Sequence, residues 1–155
     1  MPSTKASRTI IAILLSVCLF GALALTGCGG GGVKAGTAGK VTITVDITAA
    51  VDAGDPTAKA LAEQKGGNTY KIEIGIDKGD SVLDAAKASG LVVATSSAPG
   101  FGDYVTSIDG LAEKAVTAQA GWIFTVNGEM PMTSIDSIEA ADGDDIVFTY
   151  VTSWE

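Results

Sequence analysis

Two strand signals and two turn signals follow one another in the last third of the chain, in GWIFTVNGEMPM and SIEAADGDDIVFTYVTSW. Trp122 to Val126 is an aromatic and β-branched run that meets Asn127-Gly128. Asn-Gly is the strongest short hairpin signal, because both central positions of the turn need positive φ. Pro131 sits in the returning arm and cannot donate to a ladder, so that arm is predicted to be short or at a sheet edge. Asp142-Gly143 marks the second turn. Beyond it, Ile146, Phe148, Tyr150 and Trp154 share one face of a strand, with Val147, Thr149 and Val151 on the other. A period of two fits a pleated strand with one buried face. A chain carrying this pattern folds around β-structure.

Upstream, Val41, Ile43, Val45 and Ile47 alternate with Thr42, Thr44, Asp46 and Thr48. Tyr70, Ile72, Ile74 and Ile76 alternate with Lys71, Glu73 and Asp77, giving a second half-buried strand. In SVLDAAKASG the period changes. Asp80 or Ser81 can cap a helix, Val82, Leu83, Ala85 and Ala86 form its apolar stripe, and Gly90 ends it in the left-handed conformation. Between the first two strands, Pro56 can open a short helix carrying Ala60 and Leu61, which Gly66-Gly67 would end. Leu91 to Thr95 reads as a short extended segment, SSAPGFGD as a loop, and Tyr104 to Ile108 as a strand before the turn at Asp109-Gly110. These elements predict about six strands and one main helix without a βαβ rhythm: a single α+β domain whose sheet is covered on one face.

The first residues bear on location. Lys5 and Arg8 precede the apolar run Ile10 to Leu25, which Leu25-Thr26-Gly27-Cys28 closes. This is the layout of a signal peptide, and the run is short for a helix crossing a ~30 Å hydrocarbon core. The residues before Cys28 resemble a bacterial lipobox, in which the cysteine is diacylated, for instance with palmitate, and becomes the new N-terminus. An uncleaved anchor is the alternative, and either reading puts the domain outside the cytoplasmic membrane. The expected division is a signal peptide over 1–27, lipidated Cys28 with a Gly-rich tether over 28–40, and a domain over 41–155. Two acyl chains anchor firmly, and a tether of ~12 residues spans roughly 20 Å.

Several chemistries are excluded or unsupported. Without residues 1–27 the chain carries 8 basic and 18 acidic residues, a net charge of −10. That argues against nucleic acid, whose binding rests on Lys and Arg neutralising phosphates. There is no histidine, and neither Cys18, in the apolar run, nor lipidated Cys28 leaves a thiol in the domain. Ser-His-Asp and Cys-His sites are therefore ruled out within the chain. No GxxxxGK[ST] occurs, nor GxGxxG between a strand and a helix, and nothing supports nucleotide binding. The chain is expected not to be an enzyme. Asp142, Asp144 and Asp145 surround Gly143 and offer oxygens to calcium, but the further carboxylates of a calcium loop are missing, and a solvated turn is the better reading.

The aromatic residues are the remaining contact candidates. Trp122, Phe124, Phe148, Tyr150 and Trp154 fall on strands, where core packing is the default. Phe101 and Tyr104 flank the Gly-rich PGFGDY segment, where a bulky residue either plugs the end of the core or is exposed for contact. Packing is the favoured alternative for Phe101, and for Trp122 after Gly121.

Taken in order, GIDKGDSVLDAAK, GDYVTSIDG, GWIFTVNG and DGDDIVFTYVTSW resemble the transcobalamin-like C-terminal domain, a family of small β-rich modules in bacterial surface proteins and animal cobalamin carriers. The resemblance spans residues 41–155. It implies a β-grasp-like mixed sheet with one main helix, and a face for a corrinoid such as cobalamin. Carried over by position, that face would include Phe101, Tyr104, Trp122 and Phe124, with no metal ligands. In the carriers a helical barrel holds the other side of the ligand, and this chain has none. The expectation is a lipid-anchored binding module that captures a small molecule together with a partner, such as a transporter or receptor. A protein- or polysaccharide-binding adhesion module is the alternative.

Overall fold

The computed structural model describes residues 36–154; the expected signal peptide over 1–27 and the expected lipidation at Cys28 fall outside the described residues. Within them, the two alternating segments form a β-hairpin. Strand β1 (Gly39–Asp46) pairs antiparallel with β2 (Thr69–Ile76), from Gly39 opposite Ile76 to Asp46 opposite Thr69. The hairpin is joined to the end of the chain by long-range pairing. Strand β7 (Asp145–Val151) lies parallel to β1, with Ile43 opposite Ile146 and Val45 opposite Phe148. On its other side β7 pairs antiparallel with β6 (Gly121–Val126), Trp122 facing Tyr150 and Phe124 facing Phe148. The result is a mixed four-stranded sheet in the order β2-β1-β7-β6.

The expected single sheet is corrected to two. A three-stranded sheet, in the order β3-β4-β5, is made by β3 (Val93–Ala98), β4 (Gly102–Ile108) and β5 (Leu111–Ala112). The segment read as the loop SSAPGFGD is mostly strand: Ser96 to Ala98 pair with Tyr104 to Gly102 around a tight turn. Its serines carry no apolar alternation, so pairing with a partner strand, and not burial, holds them extended. The last strand also ends sooner than predicted. Ile146, Phe148 and Tyr150 are buried as expected, but Trp154 lies beyond Val151 and is exposed. The arm after Asn127-Gly128 reduces to one bridge, Val126 with Glu129, as the position of Pro131 predicted.

Three α-helices and a 3-10 turn at Ile135–Ser137 occur among the described residues, where one main helix and a short one from Pro56 were expected. Helix α1 (Thr48–Asp52) has only five residues, too few for a 3.6-residue period to show. Helix α2 (Pro56–Lys65) starts where Pro56 indicated. Asp55 caps it by accepting from the Ala58 amide at 2.8 Å, and Gly66 ends it at φ 80°. Helix α3 (Val82–Ala88) is capped by Ser81, one of the two candidates, and the cap is a full capping box: Ser81 Oγ accepts from the Asp84 amide at 3.1 Å, and the Asp84 carboxylate accepts from the Ser81 amide at 3.0 Å.

Val41, Ile43 and Val45 of β1, Ile74 and Ile76 of β2, and Ile146, Phe148 and Tyr150 of β7 supply the centre of the core. Val82, Leu83, Ala85 and Ala86 of α3 are buried in the same cluster, as are Val105, Ile108 and Leu111 of the small sheet. One core therefore serves both sheets, and what separates their edges becomes the site.

Candidate functional site

Strand β6 is an edge of the larger sheet, and β4 runs close to it. Two glycines determine how the chain lines the gap between them. Gly102, at φ 74°, sits so close to Ser134 that a β-carbon there would overlap the serine side chain. This contact brings residues 132–134 against the start of β4. Gly100, at φ 83°, turns the β3–β4 hairpin, with the Phe101 amide donating to the Ala98 carbonyl at 3.0 Å. The outcome is a cleft of about 320 Å³ bounded by the β3–β4 turn, β4, β6 and the segment Met132–Ser134.

Phe101, Tyr104, Trp122 and Phe124 all line this cleft. They differ in how they are held. Trp122 is only 8% exposed; its indole N–H donates to the Leu111 carbonyl at 2.9 Å, and its ring meets Tyr150 edge-on at 5.2 Å. Phe124 packs on Phe148 with ring centroids 6.1 Å apart. These two form a floor fixed from behind by the core. Phe101 is 82% exposed at the hairpin tip, so the packing alternative favoured for it is overturned: a two-stranded hairpin ending in Gly100 has no core beneath its turn. Packing holds for Trp122. Met132, 99% exposed, stands with Phe101 at the rim.

Met132 and its neighbours Thr133 and Ser134 were missed in the sequence. A thioether next to Pro131, in a segment with no period, has little chance of being buried, and that is the signal which could have found it.

The one charged side chain among the described residues that line the cleft is acidic. Asp103 lines it, and its carboxylate accepts from the Ser97 hydroxyl while its amide donates to Asp136 Oδ1 at 3.3 Å. Hydrogen bonding from Ser134 holds the exposed Asp136 carboxyl below its ordinary value; slight desolvation opposes this and the Asp103 amide supports it. No lysine or arginine is among the lining residues.

The acidic turn at Asp142–Asp145 has a structural use. Asp142 Oδ1 accepts from the Lys40 amide at 2.8 Å, Asp144 Oδ2 from the Ala141 amide at 2.8 Å, and Asp144 Oδ1 from Asn127 Nδ2 at 2.8 Å. These oxygens tie β1, β6 and β7 together. Among the described residues no group of three or more acidic or thiol side chains is placed to hold a metal ion.

A family profile described as Domain of unknown function (DUF4430) matches residues 79–152, the stretch that contains every residue lining the cleft. No curated protein matches the chain. Among solved structures, the fold is similar to a candidate metal binding protein from Ruminococcus gnavus ATCC 29149, with a TM-score of 0.55 and 19% identity over 75% of this chain and 99% of that one. It is also similar to haptocorrin in complex with Cbi, with a TM-score of 0.54 and 14% identity. That match covers 84% of this chain and 28% of haptocorrin, so the chain corresponds to little more than a quarter of that protein.

Proposed function

We propose that the protein is a non-catalytic ligand-binding module, displayed outside the cytoplasmic membrane on a lipid carried by Cys28, with the β4–β6 cleft as its contact site. The observation that carries this reading is the union of Phe101, Tyr104, Trp122 and Phe124 around one cleft, with Phe101 and Met132 left uncovered at its rim. Exposed large apolar side chains grouped in a concavity mark a contact surface. The parallel pairing of β1 with β7 inside a mixed sheet supports a β-grasp-like description, and the likeness to haptocorrin supports a flat ligand of corrinoid type.

A volume of about 320 Å³ lies at the small end of ligand pockets, which run from roughly 300 to 1,000 Å³. The module thus offers one face of a site, and a partner such as a transporter or receptor in the same membrane would supply the other. Confinement to one membrane raises the effective concentration of such a pair.

Titration of the purified protein with cobalamin, followed by calorimetry and tryptophan fluorescence, tests the corrinoid form of the reading. Binding weakened about tenfold by Phe101→Ala, ~1.4 kcal/mol, is the expected result. No heat and no spectral change at high micromolar cobalamin would remove the corrinoid, and an unaltered affinity in the variant would remove the cleft.

A further inference from the structure

The ladder between β6 and β7 leaves a regular set of main-chain groups facing the cleft side of β6. Asn127 donates its amide inward to Asp145 at 2.8 Å, whereas the Val126 amide and carbonyl both turn outward, to Glu129, at 2.9 and 3.1 Å. In an antiparallel pair the direction alternates residue by residue. The amides and carbonyls of Trp122 and Phe124 therefore point away from β7, as those of Val126 do. None of these four groups has a hydrogen-bond partner among the described residues, although both residues line the cleft. They repeat every second residue, the spacing of a strand partner.

We infer that the β6 edge, within the β4–β6 cleft, is an acceptor for an extended, basic peptide segment of a partner protein, which would add a short strand beside Trp122–Phe124. The proposal rests on the reading of this cleft as the contact site and specifies the chemistry of the partner. Main-chain bonds of β-strand addition give affinity that tolerates sequence variation, while pockets for alternate side chains add preference. Here an inward-facing apolar side chain would meet Phe101, Tyr104 and Met132. The cleft's volume suits one or two side chains.

Charge selects the sign of the segment. Asp103 lines the cleft, and Asp136 lies beside it, accepting from the Asp103 amide at 3.3 Å. The described lysines with an ion pair are engaged elsewhere: Lys40 with Glu73, Lys65 with Asp109 and Lys114 with Glu113. A Lys or Arg flanking the added strand would find carboxylates, and an acidic segment would find no cation in the lining. Opposite charge accelerates encounter, and like charge at the rim rejects the wrong partner.

The test uses the full chain in detergent and a fluorescein-labelled peptide, Arg-Val-Thr-Val-Thr-Val-Arg, with two controls. One control has Glu at both ends; the other carries N-methyl groups on alternate amides, which removes the donors needed for pairing on one edge. The expected result is saturable binding of the Arg peptide, at least about tenfold weaker for each control, with slowed amide exchange at Trp122 and Phe124. Equal binding of all three peptides would overturn strand addition. Binding without protection of those two amides would overturn the location. If the Arg peptide fails at millimolar concentration while cobalamin still binds in a Phe101-dependent way, the peptide inference falls and the cleft remains a small-molecule site. Failure of both ligands removes both readings.

Discussion

At the scale of single residues, a buried and a partly buried polar side chain have opposite consequences. Thr44, on β1 between Lys71 of β2 and Val147 of β7, is 6% exposed, and its hydroxyl finds no partner among the described residues. A buried hydroxyl without a hydrogen bond costs about 1–3 kcal/mol. Valine has nearly the same shape, so Thr44→Val should raise stability by about 1 kcal/mol, seen as a higher urea midpoint with an unchanged slope. Tyr70 is the satisfied counterpart. Its hydroxyl donates to Asp109 Oδ2 at 3.3 Å, and Lys65 both pairs with Asp109 at 3.0 Å and stands over the Tyr70 ring.

Burial, with the Asp109 charge second, pushes the Tyr70 phenol well above its ordinary value of 10.0. The sign follows from proton linkage. Above pH 10 the unfolded chain releases this proton while the folded chain retains it, so the stabilisation is complete below about pH 10 and declines as pH rises through the alkaline range. Tyr150, raised by the same burial, adds to the decline. Urea unfolding between pH 8 and pH 11 should show a falling midpoint, and Tyr70→Phe should flatten the slope. An identical slope in the variant would show that the cluster at Asp109 does not set it.

At the scale of elements, what could be read in the sequence depended on how local the cause was. Helix α3 was legible because Ser81 and Gly90 mark its ends within ten residues, and Val82, Leu83, Ala85 and Ala86 mark its buried side. Strands β1, β2 and β7 were legible because each has one apolar face. The β3–β4 hairpin was not, since Ser96 and Ser97 are held by partners on β4, as in the bond from Ser97 to Asp103. Trp122 and Phe124 were identified as contact residues by position in the resemblance, and the structure explains their double role as core floor and cleft lining. Met132 has no period to place it on a face, and its position after Pro131 in an aperiodic segment was the one hint of its exposure.

Local causes also have local penalties. Ser81→Ala removes the acceptor for the Asp84 amide and should cost about 1 kcal/mol. Ser81→Thr, which keeps the hydroxyl that bonds both the Asp84 amide and its carboxylate, should recover much of it. Thermal unfolding of the three proteins would check this, and equal midpoints would mean that packing of α3 against β2, not the cap, determines its stability.

At the scale of the whole molecule, the strand that closes the fold comes from the far end of the sequence. β1 lies between β2 and β7, so the larger sheet cannot form without residues that precede position 79. Residues 79–152, the stretch matched by the family profile, contain the entire cleft but only half of the four-stranded sheet. Removing β1 and β2 would strip Ile146, Phe148 and Tyr150 of their neighbours Val41, Ile43 and Val45 and leave one edge of β7 unpaired. Two strands seldom hold together in water without a further layer. A fragment of residues 79–155 is therefore expected to lack cooperative unfolding and to bind the dye ANS, whereas residues 36–155 unfold in a single transition. The likeness to the Ruminococcus gnavus protein agrees with the larger unit, since nearly all of that chain is matched by three quarters of this one. Adding residues 36–78 in trans should restore part of the signal, because the missing hairpin pairs through main-chain bonds that need no covalent link. A cooperative transition in the shorter fragment alone would show that the cleft and its support form an independent unit, and that β1 stabilises a sheet already able to assemble.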